Sequence, residues 1–343
     1  MLQLENETPF TAGLALFPDA DGVDTLYLAV RGAFTFERGL AVADEQPPLR
    51  SADEHWGDPA STSLKYAGEL HLLKPSTDVV LVGHAWAMGG RPVSTVDVAI
   101  AVGPLRKVIR VFGDREWKGA LDLQIGAPAP FERMPLVYER AFGGVVEIDP
   151  DARAVTRDPR NPVGVGFACR KRGGEMGARK LPNLEDPAHL IARPADRPPP
   201  AGSGFIAPSW EPRRLSAGTY DKGWQKTRAP FLPADFHPRF FNAAHPDLVC
   251  KGHLQGGEEV SALHVTPSPL LRFRLPVCRF DARVHVAGVV ERPPLRMETV
   301  LIEPDEGRVS LLWRGAVRCD KNALRISRVR VAVAALELEG RAA

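Results

Sequence analysis

No stretch of about eighteen apolar residues, the length a membrane-crossing helix requires, occurs in this chain. The nearest approach, Asp78 to Met88, is short, valine-rich and flanked by polar residues, so the sequence predicts no membrane insertion. Charge of one sign is also missing. The 44 basic and 42 acidic residues leave a formal net charge of +2, which provides no field to gather a polyanion such as nucleic acid. The local basic cluster of Arg170-Lys171-Arg172 with Arg179 and Lys180 is broken by Gly173, Gly174 and Gly177 and lacks interleaved aromatics for base stacking, so it reads as a solvated loop. Cysteine is scarce: Cys169, Cys250, Cys278 and Cys319 lie far apart with no C-x-x-C pair. That argues against a zinc ribbon and against a dense disulfide framework, and leaves buried or idle thiols. The segment Met1 to Glu7 has neither a basic region nor an apolar stretch, so it does not read as a secretory signal, and the expected location is cytoplasmic.

Signatures of catalysis are equally thin. The nine histidines form no H-E-x-x-H and no close His-x-His pair, and each reads individually as structural. His237 and His245, near Asp235 and Asp247, are a conceivable metal cluster with little to recommend it. Gly164-Val165-Gly166 lacks the third glycine, preceding strand and following helix of a dinucleotide fingerprint, and there is no G-x-S-x-G elbow or Walker-type loop. Asp114, Glu139, Asp221 and Glu258 could pair for glycosidase-type chemistry, but Arg115 and Arg140 beside two of them point to salt bridges. No catalytic, metal-binding or cofactor-binding set emerges, no cofactor is expected, and the chain reads as a non-enzyme.

What the sequence does carry is β patterning. With 343 residues, 44% hydrophobic and 25% charged, it is long enough to bury a sizeable core. Thr25 to Phe36 alternates at a period of two, as a half-buried antiparallel strand with a bend at Gly32 would. Shorter β-type runs follow at Val79–Trp86, Val93–Val102 and Val108–Phe112, and the last third adds Arg283–Val290, Met297–Ile302, Val309–Trp313 and Ile326–Val333. In the last of these, valine alternates with arginine or alanine, which predicts one wet face. A weak helical signal lies near Asp320 to Leu324. Between about Ile125 and Pro276 the periodicity fades and proline and glycine become frequent, yet many aromatics there would be costly to leave in water. The expected fold is mainly β, with antiparallel, sandwich-like sheets, a long irregular aromatic- and Pro/Gly-rich central layer and few short helices. It forms one unit over 1–343 with sub-lobes at 1–125, 126–276 and 277–343.

Within that layer Tyr220, Asp221 and Trp224 place a phenol, a carboxylate and an indole within five residues, a mixture suited either to a polar network under a loop or to an interface anchor. Trp210 with Arg213 and Arg214, and Phe236 with Arg239, Phe240 and Phe241, pair aromatics with guanidinium groups, as interface hot spots and stacked core arginines both do. Of these, Trp210, Tyr220, Asp221, Trp224, Phe236, Arg239, Phe240 and Phe241 are the candidate protein-binding residues.

Short motifs run along nearly the whole chain: His55-Trp56-Gly57-Asp58-Pro59, Lys74-Pro75 leading to Thr77–Gly83, Phe112-Gly113-Asp114-Arg115-Glu116-Trp117, Tyr138-Glu139-Arg140-Ala141-Phe142-Gly143-Gly144, Asn161-Pro162-Val163-Gly164-Val165-Gly166-Phe167, Leu181-Pro182-Asn183-Leu184-Glu185, Gly218-Thr219-Tyr220-Asp221, Leu232-Pro233-Ala234-Asp235-Phe236 and Arg239-Phe240-Phe241-Asn242. By their number and order the chain resembles the domain-of-unknown-function 2169 family, departing from it at His55, where an aromatic is expected before the tryptophan. The resemblance implies an adaptor or chaperone that binds a type VI secretion effector toxin, often with a spike-tip or repeat region, and helps load it onto the spike complex. A carbohydrate-active β enzyme or sugar-binding module, and a structural component of the secretion machinery, are the alternatives. In the motifs, Gly143, Gly144, Gly164 and Gly166 are suited to positive φ.

Overall fold

The computed structural model describes residues 2–36, 39–119, 122–149, 154–167 and 179–338. The basic cluster at Arg170 to Arg172 and the thiol of Cys169 lie outside the described residues.

The strongest period-two segment lies at the centre of the molecule. Asp24–Thr35 forms a strand paired antiparallel with Thr11–Pro18 on one side and Arg308–Arg318 on the other. Arg296–Glu303 continues the sheet antiparallel, and Asp78–Leu81 closes it in parallel. With Ala41–Val42 this makes six strands, drawn from both ends of the sequence. The expectation of a half-buried strand bent at Gly32 is corrected: residues 25–34 are buried throughout, and the pairing runs through Gly32 without a register shift. One side chain in two is polar or small for another reason, because both faces are covered. At Gly32 a Cβ would meet the Phe10 ring at 2.9 Å and Trp313 at 3.1 Å, so glycine here makes room for rings.

The covering layer on that face is a four-stranded sheet of Gln3–Glu7, Ile326–Glu337, Val277–Val286 and Val289–Glu291, in spatial order. Its Phe280 packs against Phe10 and Trp313, with ring centroids 6.4 and 5.1 Å away. The first and last strands pair in parallel. The wet face expected of Ile326–Val333 is present: Val329 and Val331 are buried, while Arg328 and Arg330 pair with Glu5 and Glu7 of the neighbouring strand. A third, five-stranded antiparallel sheet has the order Leu184–Glu185, Leu105–Phe112, Thr95–Val102, Glu259–Leu263 and Leu270–Arg274. The protein is therefore mainly β with antiparallel sheets. Among the described residues the only α-helix is Lys222–Thr227, and the weak helical signal near Asp320 is a 3-10 segment, Asp320–Arg325.

The opposite face of the central sheet carries charge. Arg31 and Arg314, both fully buried, lie two strand positions apart on it, since Arg31 pairs with Leu312. Arg31 Nη1 donates to Pro48 O (2.9 Å) and lies 3.6 Å from Glu69, which Arg50 also reaches at 3.2 Å. Arg314 Nη1 lies 3.3 Å from Glu298, whose other oxygen accepts from Lys74 N at 2.8 Å. Burial pushes the Arg31 and Arg314 guanidinium groups down and the Glu298 carboxyl up, so each charge persists only through its partners. Residues 48–78 supply most of those partners and lie across this face.

Candidate functional site

The edge strand Asp78–Leu81 would expose a row of unpaired backbone groups, and the proline- and aromatic-rich layer fastens to it instead. Asp78, with no solvent exposure, accepts from Lys74 Nζ at 2.7 Å, Asn242 Nδ2 at 2.8 Å and Ala243 N at 2.8 Å. At the far end of the strand Leu81 N donates to Ser203 O, and Ser203 Oγ donates to Leu81 O. Arg213 ties the layer together, donating from Nε to Phe240 O at 2.8 Å and from Nη1 to Ile206 O at 2.6 Å.

Two hollows open on this layer and share Pro212, Leu215 and Pro246, so they form one groove. The smaller lobe, about 220 Å3, is walled by Pro199, Pro200, Ile206 and Pro212, with Tyr138, Arg160, Glu211 and His245 around it. The larger, about 680 Å3, runs past Pro75, Arg213 and Cys250 to Arg239, Asn242 and Lys251. Leu215, 71% exposed, stands between them. Proline walls present no N–H, so polar recognition falls to a few side chains.

Two of those side chains are buried and incompletely bonded. The Tyr138 hydroxyl and Asn242 Oδ1 have no hydrogen-bond partner, a condition they share with eight other buried side-chain atoms among the described residues, Arg115 Nε and Asn161 Oδ1 included. Tyr138 is 3% exposed and is held edge-on to Trp210 at 5.8 Å, while a Cβ at Gly202 would fall 2.6 Å from its ring. Burial pushes its phenol well up, which keeps it a neutral donor. The Asn242 orientation is fixed because its Nδ2 donates to two acceptors, Ser76 O and Asp78 Oδ1, which leaves the carbonyl oxygen buried without a partner. His245 is held down to about 4 by burial and by Lys107, whose Nζ lies 3.3 Å from the ring.

The structure separates the candidate residues read from sequence. Trp210 is a core residue packed on Tyr138 rather than on an arginine. Asp221 caps the helix Lys222–Thr227 through Trp224 N at 2.8 Å, Tyr220 packs edge-on to Trp224, and the Trp224 indole donates to Phe231 O. These three form a local unit that is absent from the lining of the groove. Phe236, Phe240 and Phe241 form a ring trio with centroids 5.3 to 5.9 Å apart, and Phe241 stacks on His71 at 4.6 Å. The trio backs the layer; of the eight, only Arg239 lines the groove. Leu215, Tyr138 and Asn242 were missed, although the proline run Arg197–Pro200 and the motifs holding Tyr138 and Asn242 were visible signals.

His237 and His245 are engaged locally. His237 Nδ1 and His245 Nδ1 each accept a backbone N–H two residues on, from Arg239 and Asp247, and begin short 3-10 turns. Among the described residues no group of three His, Cys, Asp or Glu side chains converges. Gly143, Gly144 and Gly166 do take positive φ, whereas Gly164 does not; a Cβ there would lie 2.4 Å from Asn161 Nδ2.

A second hollow, about 580 Å3, gathers Asp114, Arg115, Glu116, Lys118, Glu139, Arg140 and Asn183 from three motifs. Its polar groups are mostly engaged. Glu139 accepts from Ser63 N and Oγ at 2.6 and 2.7 Å, Asp114 accepts from Asn183 at 3.0 Å and Arg140 at 3.3 Å, and Arg115 is paired with buried Glu185. No described residue lining it is aromatic. Asp221 and Glu258 lie outside it, Glu258 accepting from Gln255 N and Gly256 N.

Among the described residues no helix is long and apolar enough to cross a membrane. No curated protein and no solved structure matches the chain. A family model does, over residues 21–314, and the chain accordingly belongs to the family described as an uncharacterized protein conserved in bacteria (DUF2169).

Proposed function

We propose that the protein is a non-catalytic adaptor of the cytoplasm, which holds a type VI secretion effector through the groove and assists its loading onto the spike. The observation that carries the binding role is the groove itself: an exposed leucine between two proline-walled lobes, placed on a layer pinned to the sheet through Asp78. Fixed apolar relief of this kind favours a polypeptide partner, since affinity comes from desolvated anchors and little ordering is required of the host. The resemblance supplies the class of partner. A sugar-active reading has less support, because Asp114 and Glu139 of the charged hollow are held by protein partners and no aromatic platform lines it.

The test is co-purification of tagged protein from its native host with mass spectrometry of what stays bound after a high-salt wash. One large toxin or spike protein on the parent, lost on Leu215→Glu with an unchanged melting temperature, is the expected result. Retention of the same partner by Leu215→Glu overturns the groove as the docking site.

A further inference from the structure

Among the described residues, every buried cation but one has a carboxylate beside it. Arg31, Lys74, Lys107 and Arg314 lie within 3.6 Å of Glu69, Asp78, Asp247 and Glu298 respectively. Arg213, 7% exposed, has no such partner among the described residues. Its Nε and Nη1 are taken up by two backbone carbonyls, and Asp53 and Asp78 act on it only through space. The third nitrogen, Nη2, donates to nothing, yet unlike Arg31 Nη2 it is not sealed from solvent. A guanidinium largely removed from water without a counter-charge is costly, and this one lies in the wall of the larger lobe of the groove. The rest of that lobe has the same sign. Arg239 and Lys251 stand exposed on it with no ion-pair partner among the described residues, and no described carboxylate or aromatic ring lines it. The smaller lobe is balanced, with Arg160 paired to Asp158 and Glu211 to Arg214. The groove thus sets unmet positive charge directly beside the exposed Leu215.

We infer that the larger lobe is a receptor for acidic side chains: a carboxylate of the partner accepts from Arg213 Nη2, neighbouring acids face Arg239 and Lys251, and an apolar residue beside them covers Leu215. This rests on the docking role proposed above and adds the chemistry of the docked segment, an acidic stretch of polypeptide interrupted by apolar residues. Complementary charge selects an anion. The adjoining proline and leucine walls select a polypeptide over a polynucleotide, because the lobe has no ring on which bases could stack. The Arg213 fork is held in place by the carbonyls of Phe240 and Ile206, so little side-chain freedom remains to be lost when a carboxylate arrives.

The experiment selects random displayed peptides on the full chain at low salt and titrates one enriched peptide by fluorescence anisotropy against parent, Leu215→Glu and the double reversal Arg239→Glu with Lys251→Glu. The exposed pair is chosen because neither side chain is bonded to a described residue, whereas Arg213→Ala would free two carbonyls and loosen the layer. Enriched peptides are expected to carry Asp or Glu next to an apolar residue. Replacing those acids by Asn and Gln should weaken binding about ten- to hundredfold, the effect of a charge-assisted hydrogen bond. The double reversal should weaken the acidic peptide by a similar factor, melt at the parent's temperature, and prefer the same peptide with its acids changed to Lys. Peptides lost on Leu215→Glu but indifferent both to removal of their acids and to the double reversal overturn this inference alone and leave the docking site standing. A labelled oligouridine that binds the parent and is lost on the double reversal, with no acidic peptide enriched, also overturns it and assigns the lobe to nucleic acid. Selection that yields no Leu215-dependent peptide overturns both readings, as does self-association in sedimentation that Leu215→Glu abolishes, which would assign the groove to a second copy of the chain.

Discussion

The charged hollow at Asp114 and the groove at Leu215 are both open to solvent, yet they differ in how their polar atoms are used. In the hollow Glu139, Asp114 and Arg115 are each held by protein partners. In the groove the walls are largely proline and leucine, and Arg239 and Lys251 have no ion-pair partner among the described residues. A collection of charged motif residues is thus weak grounds for a site when the charges complete one another, whereas an exposed leucine between proline walls is stronger grounds, because the fold gains nothing from it unliganded.

The contrast can be broken most severely at Asp78. Asp78→Ala leaves the Lys74 ammonium buried without its carboxylate and frees Asn242 and Ala243, so it should cost about 3–5 kcal/mol, read as a lower urea midpoint, and should dismantle the groove before the hollow. Leu215→Glu sharpens the contrast from the other side: partner binding should fall more than about tenfold, as for a central hot spot, with stability unchanged because the leucine is exposed. Glu139→Gln in the hollow should do the reverse, costing about 1 kcal/mol through its bonds to Ser63 while leaving binding intact. The smallest effect concerns pH. The His245 imidazole is held down to about 4 from an ordinary value near 6.5, so the unfolded chain takes up the proton first. The stabilisation this gives is present above about 6.5 and is lost as pH falls toward 4. His71, stacked on Phe241 and held well below its ordinary value by burial, adds to the same slope. His245→Gln should flatten part of the difference between urea midpoints at neutral and mildly acidic pH.

Much of the sheet framework was legible because period-two alternation reports a face directly, as in Ile326–Glu337, where Arg328 and Arg330 are accessible and Val329 and Val331 buried. The reading failed where a strand is covered on both sides. Arg31 looks like a solvent-facing residue in a period-two pattern but is fully buried, because Pro48 and Glu69, remote in sequence, receive its guanidinium. The site was legible to a smaller degree. Aromatic density marked the right layer, but aromatics are spent on packing: Trp210 on Tyr138, Phe241 on His71. The groove is made by prolines and one exposed leucine brought together from segments remote in sequence, a juxtaposition that no linear pattern encodes.

The parallel pairing of Gln3–Glu7 with Ile326–Glu337, and the antiparallel pairing of Asp24–Thr35 with Arg308–Arg318 in the sheet behind it, have a consequence for synthesis. A strand made early waits on the ribosome for a neighbour made nearly three hundred residues later. Local contacts cannot substitute for that neighbour, so the assembly step is slow, and during it an apolar strand edge is available to other chains. A protein proposed to hold another chain in its groove thus itself leaves a strand edge open while it is being made.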